Sequence, residues 1–68
     1  MSKFSERLKE LRTEKGLSQE QLGKLLNVAH GSVSYWELGK RVPSLDNAIV
    51  VAKFFGVSLD YLAGIVDY

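Results

Sequence analysis

Residues that start and stop helices cut this chain into short lengths. Ser18, Ser44 and Ser58 each stand where a helix N-cap is wanted. Gly16, Gly39, Gly56 and Gly64 each stand where a left-handed stop is wanted. Between these marks apolar residues recur at helical steps, and no stretch alternates as a half-buried strand would. Helices this short are marginal alone and must pack on one another. The pattern therefore predicts an all-α fold of roughly one to three turns per helix.

Five segments follow. Phe4, Leu8 and Leu11 form one stripe of a first helix, with Ser2 as its cap, Gly16 just past its end, and Glu6, Glu10 and Glu14 on solvated faces. Ser18 and Gln21 have the spacing of a capping box, and Leu17 and Leu22 that of a hydrophobic staple. The second helix should bury Leu22, Leu25 and Leu26 and end at Asn27, which tolerates positive φ. A three-residue turn, Asn27-Val28-Ala29, leads to a third helix from about His30 to Leu38 with Val33 and Trp36 inward. After the loop from Lys40 to Pro43, a fourth helix should bury Leu45, Ala48, Val51, Ala52 and Phe55. A short fifth helix carries Leu59 and Leu62. Gly23 and Gly31 fall inside helical pattern, where each costs up to ~1 kcal/mol against alanine. Gly23 reads as room for the second helix to cross the third closely.

Composition narrows the chemistry. At 68 residues the expectation is one domain spanning residues 1–68, with residues 65–68 as a short tail. With no cysteine there is neither a disulfide nor a thiolate zinc site, and the lone His30 makes no histidine cage. No metal and no cofactor is expected. No Cys nucleophile, Gly-rich phosphate loop or convergent carboxylate pair is visible, which argues against an enzyme and leaves no catalytic residue to nominate. No apolar run approaches the ~20 residues of a membrane span, and no signal peptide is visible, so no membrane association is expected. The net charge of +1 hides an asymmetry. Residues 1–43 carry eight Lys and Arg against five Glu, whereas residues 44–68 carry one Lys against three Asp. The basic half is the half that can face a polyanion.

Two short helices joined by a tight turn, about residues 18–38, read as a helix-turn-helix. The stretch LSQEQLGKLLNVAHGSVSYWELG, Leu17 to Gly39, resembles the helix-turn-helix of the Cro and phage-repressor family. Pro43-Ser44-Leu45 and the run from Gly56 to Leu62 resemble the same family downstream, so the likeness covers nearly the whole chain. It implies a compact five-helix, lambda-repressor-like domain, cytoplasmic and bacterial or phage-encoded. Where the family usually has alanine and glycine, this chain has Gly23 and Asn27, which keep the small crossing and the positive-φ turn.

In such a fold the third helix enters the major groove of double-stranded DNA and the second lies across the backbone. The resemblance places base contacts at His30, Gly31, Ser34 and Tyr35, the positions left outside the Val33/Trp36 stripe. Gly31 stands where the family usually has a polar side chain, so shape must supply part of any specificity. Phosphate contacts are implied at Gln19, Ser32, Lys40, Arg41 and Ser44. Arg12 and Glu37 match positions that form a structural ion pair in the family.

One small reading head covers few base pairs, so a homodimer on a palindrome is expected. Val50, Phe54, Tyr61, Ile65, Val66 and Tyr68 supply apolar material beyond the core stripes and are the candidate dimer interface. The leading expectation is a transcriptional repressor with no small-molecule ligand. The competing one is an antitoxin or other interaction module, with the same carboxy-terminal face on a partner protein.

Overall fold

Three of the helices start on a serine cap, at Ser18, Ser44 and Ser58, and end on a left-handed residue. α1 spans Lys3–Glu14, α2 Gln19–Leu26, α3 Ser32–Glu37, α4 Leu45–Phe55 and α5 Leu59–Ala63. The computed structural model describes residues 3–68, so the expected Ser2 cap lies outside the described residues. No strand occurs among the described residues. At α2 the capping box is complete: the Gln21 amide donates to Ser18 Oγ at 3.0 Å, and the Ser18 amide donates to Gln21 Oε1 at 2.8 Å. Ser44 and Ser58 accept from the amides of Asn47 and Tyr61 at 3.1 and 3.0 Å. Caps of this kind are each worth ~1 kcal/mol, a large share of a small domain's stability.

The core draws on every helix. Leu8, Leu22, Leu26, Val33, Trp36, Val51, Ala52 and Leu62 form one buried cluster. α1 packs on α3 and α5, α2 on α3 and α4, and α4 on α5. Phe4 meets Trp36 edge-on at 6.2 Å, and Ser5 Oγ donates to the Trp36 carbonyl at 2.6 Å. The Trp36 carbonyl is at the end of α3, where helix carbonyls lack an intrahelical partner.

Three local expectations are corrected. Leu25 is 58% exposed, because α2 is short and its i, i+4 pair, Leu22 and Leu26, already faces the core. Leu45 is 70% exposed, since it is the first residue of α4 and lies beyond the edge of the cluster. α3 begins at Ser32 rather than near His30. Gly31 is its N-cap at φ 83°, so the connection from Asn27 runs through Gly31 and contains a left-handed residue at each end. That conformation is cheap for glycine and strained for other residues.

The crossing at Gly23 is looser than the sequence suggested. A Cβ added there would meet Val33 Cγ2 at 3.9 Å, an ordinary contact. Gly64 is the tight case, where a Cβ would lie 2.5 Å from Lys3 Cβ.

One buried cation was not foreseen. The Arg7 guanidinium donates to the carbonyls of Tyr61 and Val66, the latter at 2.6 Å, and lies 4.3 Å from the Tyr61 ring centroid. It also reaches Asp67 at 3.1 Å, but that carboxylate is fully exposed. A sequence signal existed: Arg7 lies three residues after Phe4 and four before Leu11, on the apolar stripe of α1.

Arg7→Ala should therefore lower stability by about 2–4 kcal/mol, since buried carbonyls lose a charged donor. Asp67→Ala should cost under ~1 kcal/mol, as an exposed pair does. Equal losses in urea denaturation would contradict this ranking. The two unusual glycines should also separate. Gly23→Ala should stabilise by up to ~1 kcal/mol through helix propensity. Gly31→Ala should destabilise by ~1–2 kcal/mol through its positive φ. Thermal melts should then move in opposite directions, by roughly 4–8 °C per kcal/mol.

Candidate nucleic-acid interface

The interface is built on a buried carboxylate. The Glu37 side chain, only 3% exposed, accepts from Arg12 Nε at 2.6 Å and Nη2 at 3.0 Å, and from Gln19 Nε2 at 3.0 Å. Arg12 also donates through Nη1 to the Leu17 carbonyl at 2.8 Å. One network thus joins α1, the approach to α2, the first residue of α2 and the last of α3. Isolated, the carboxylate would be costly to bury, but here it has a bidentate cation and an amide donor.

The hydrogen bond that Arg12 donates to Glu37 raises its guanidinium above the ordinary value, with burial opposing and the nearby charge adding. A raised basic group stabilises the fold fully below its ordinary value and loses that contribution only as pH rises beyond it. The Arg12 contribution is therefore constant across neutral pH.

α2, the turn and α3 enclose a shallow groove of about 600 Å³, bordered by Gln19, Lys24, His30, Ser34 and Tyr35. His30 is exposed, Tyr35 is 44% exposed, and Ser32 and Ser34 are half-buried. Gly31 contributes only backbone, and a Cβ built on it would lie 3.6 Å from Tyr35 Cε2. The Tyr35 ring therefore leans back toward the start of its own helix.

The basic loop folds onto the same side chain. Lys40 and Arg41 are exposed, and their amides donate to the Tyr35 carbonyl at 3.0 and 3.4 Å. The Arg41 guanidinium lies 5.3 Å from the Tyr35 ring centroid. Gln19 is half-buried and gives one N–H to Glu37, leaving its second N–H. Ser44 is exposed and accepts from Asn47, which leaves its own O–H available to donate. The structure thus gathers His30, Gly31, Ser34, Tyr35 and Arg41 and tethers Lys40 through its amide, while Ser44 starts the following helix.

The carboxy-terminal residues divide differently. Phe54 packs on the core and meets Phe55 edge-on at 4.9 Å, and Tyr61 and the Val66 carbonyl are engaged by Arg7. Val50, Ile65 and Tyr68 are exposed. Among the described residues no group of His, Cys, Asp and Glu could hold a metal, and no helix is long and apolar enough to cross a membrane.

Residues 8–62 match the protein family described as Helix-turn-helix. The chain belongs to this helix-turn-helix family, of the Cro and phage-repressor type. It is 44% identical over 59 residues to the HTH-type transcriptional activator BcrR of Enterococcus faecalis, covering 87% of this chain and 29% of that protein. It is 33% identical over 64 residues to the HTH-type regulator YobD of Bacillus subtilis, covering 94% of this chain and 57% of that protein. The chain thus spans less than two thirds of the length of these curated relatives. Among solved structures it resembles the P22 c2 repressor in complex with a synthetic operator, with TM-score 0.81, 30% identity, and 87% and 89% of the two chains covered. The restriction-modification controller protein C.AhdI of Aeromonas hydrophila is similar at TM-score 0.79 and 41% identity, with 90% and 92% covered.

Within this helix-turn-helix frame, Glu37→Gln should cost about 3 kcal/mol, because Arg12 keeps its charge in a half-buried site and loses its counter-charge. Replacing the exposed Glu14 by Gln should change stability by less than ~0.5 kcal/mol. Comparable denaturation midpoints for the two variants would show that Glu37 does not anchor the frame.

Proposed function

We propose that this chain is the DNA-reading part of a transcriptional regulator, a repressor that binds a palindromic operator as a homodimer with α3 in the major groove. The observation that carries this reading is the exposed His30 and Tyr35 with half-buried Ser34, beside Lys40 and Arg41, on a helix-turn-helix braced by a buried ion pair. The likeness to a repressor complexed with operator DNA supports it. His30, Ser34, Tyr35 and the Gly31 backbone approach base edges, while Gln19, Ser32, Lys40, Arg41 and Ser44 hold phosphates. Such a regulator works in the cytoplasm, on bacterial or phage DNA, and its binding function requires no catalytic group. Val50, Ile65 and Tyr68 supply the exposed apolar part of the dimer surface, with Phe54, Tyr61 and Val66 beside them.

The test is selection of bound duplexes from a random pool. The expected product is a palindrome with half-sites about 34 Å apart, or a multiple of that turn. Against the selected site, His30→Ala should lose roughly tenfold more affinity than against random DNA, as a base reader does. Lys40→Ala should weaken both alike and reduce the salt slope by ~1. A pool that yields no preferred sequence would overturn the reading.

A further inference from the structure

The helix proposed to enter the major groove lacks the side chains that read purines by paired hydrogen bonds. α3 has the sequence SVSYWE, and the turn before it supplies His30 and Gly31. It therefore holds no Arg, Lys, Asn or Gln to grip guanine or adenine bidentately. Its largest exposed surface is the ring of Tyr35. In the major groove an apolar surface has one distinctive target, the C5-methyl group of thymine.

The ring is also held. The Tyr35 main-chain carbonyl accepts from the Lys40 and Arg41 amides, which turns the loop back over the end of α3. The Arg41 guanidinium covers the ring at 5.3 Å, and Cε2 lies against the side-chain-free surface of Gly31. An exposed tyrosine on a short helix would otherwise sample several rotamers, and each lost rotamer would cost affinity on binding. A guanidinium held over the ring at 5.3 Å reduces that cost before DNA arrives.

The geometry points to Tyr35 and Arg41 acting as one reading unit. Tyr35 recognises a thymine methyl, and Arg41, besides its charge toward phosphate, is a positioning residue for Tyr35. Lys40, with no ring contact of its own, is the sequence-blind member of the pair. This inference rests on the proposed DNA-reading role and assigns a base class and a division of labour within it.

The experiment uses the selected duplex with each thymine replaced in turn by uracil, which removes only the methyl group. The wild-type chain should lose about fourfold in affinity at one thymine per half-site, the effect of one buried methyl. Tyr35→Ala and Arg41→Ala should both abolish that thymine-to-uracil ratio. Arg41→Lys keeps the charge but not the broad guanidinium over the ring, so it should hold random-DNA affinity within about twofold and still shrink the ratio. Lys40→Ala should leave the ratio at its wild-type value while weakening all duplexes.

A selected site with no methyl-sensitive thymine would overturn the inference and leave the regulator reading standing. So would Arg41 variants that weaken cognate and random duplexes equally with the ratio intact. Failure to select any sequence would instead remove the DNA-reading role itself. Circular dichroism of each variant separates loss of reading from loss of fold.

Discussion

The carboxylate of Glu37 is the constraint on which the reading face depends. It is the last residue of a six-residue helix, and its burial forces a cation and an amide to converge on it. Arg12 satisfies it with two hydrogen bonds, and Gln19 adds a third from the start of α2. A hydrophobic replacement of similar volume could match the stability of such a pair, but not its directional geometry. Each bond has a preferred line, so α2 and α3 are held at one mutual angle through a shared acceptor. For two helices this short, core contacts alone would define that angle loosely.

α1 serves as the spine for this arrangement and for the opposite end of the molecule. Arg12 extends from it to the helix-turn-helix, and Arg7 extends to α5 and the residues after it. Both arginines satisfy main-chain carbonyls as well as carboxylates. A small chain without cysteine has no disulfide with which to fix its ends. One buried and one half-buried guanidinium, with three serine caps, supply directional restraints that a small apolar core lacks.

Most of the helical frame was legible because its signals are local. The Ser18–Gln21 box, the Ser44 and Ser58 caps and the left-handed Asn27 depend on residues a turn apart. What the sequence concealed depends on which neighbour arrives from elsewhere. Leu25 and Leu45 satisfy helical periodicity, but the breadth of the buried stripe is set by how many helices surround it. Gly31 illustrates the same limit. Its place beside Ser32 fits a helix start as well as a turn, and only the path from Asn27 settles its positive φ. Arg12 and Glu37 were paired through family resemblance, since twenty-five residues separate them and spacing alone relates them to nothing. Within the candidate site, the Arg41 stack on Tyr35 was hidden because it needs the loop to reverse at Gly39, φ 74°, over the helix it has just left.

The charge distribution gives this frame its meaning. A whole-chain charge of +1 is small for the partner of a polyanion, yet the acidic side chains are unevenly used. Glu37 is buried against Arg12, so it adds little negative potential at the surface beside α3. The loop that follows carries Lys40 and Arg41 into that space. Electrostatic attraction to phosphate acts over about a Debye length, so these nearby charges outweigh the distant acidic groups of the carboxy-terminal half. On the proposed reading, a small positive excess suffices for approach, and discrimination falls to the few exposed groups at and before α3. With so few hydrogen-bonding atoms there, fixing the position of each contributes more than adding another flexible charge.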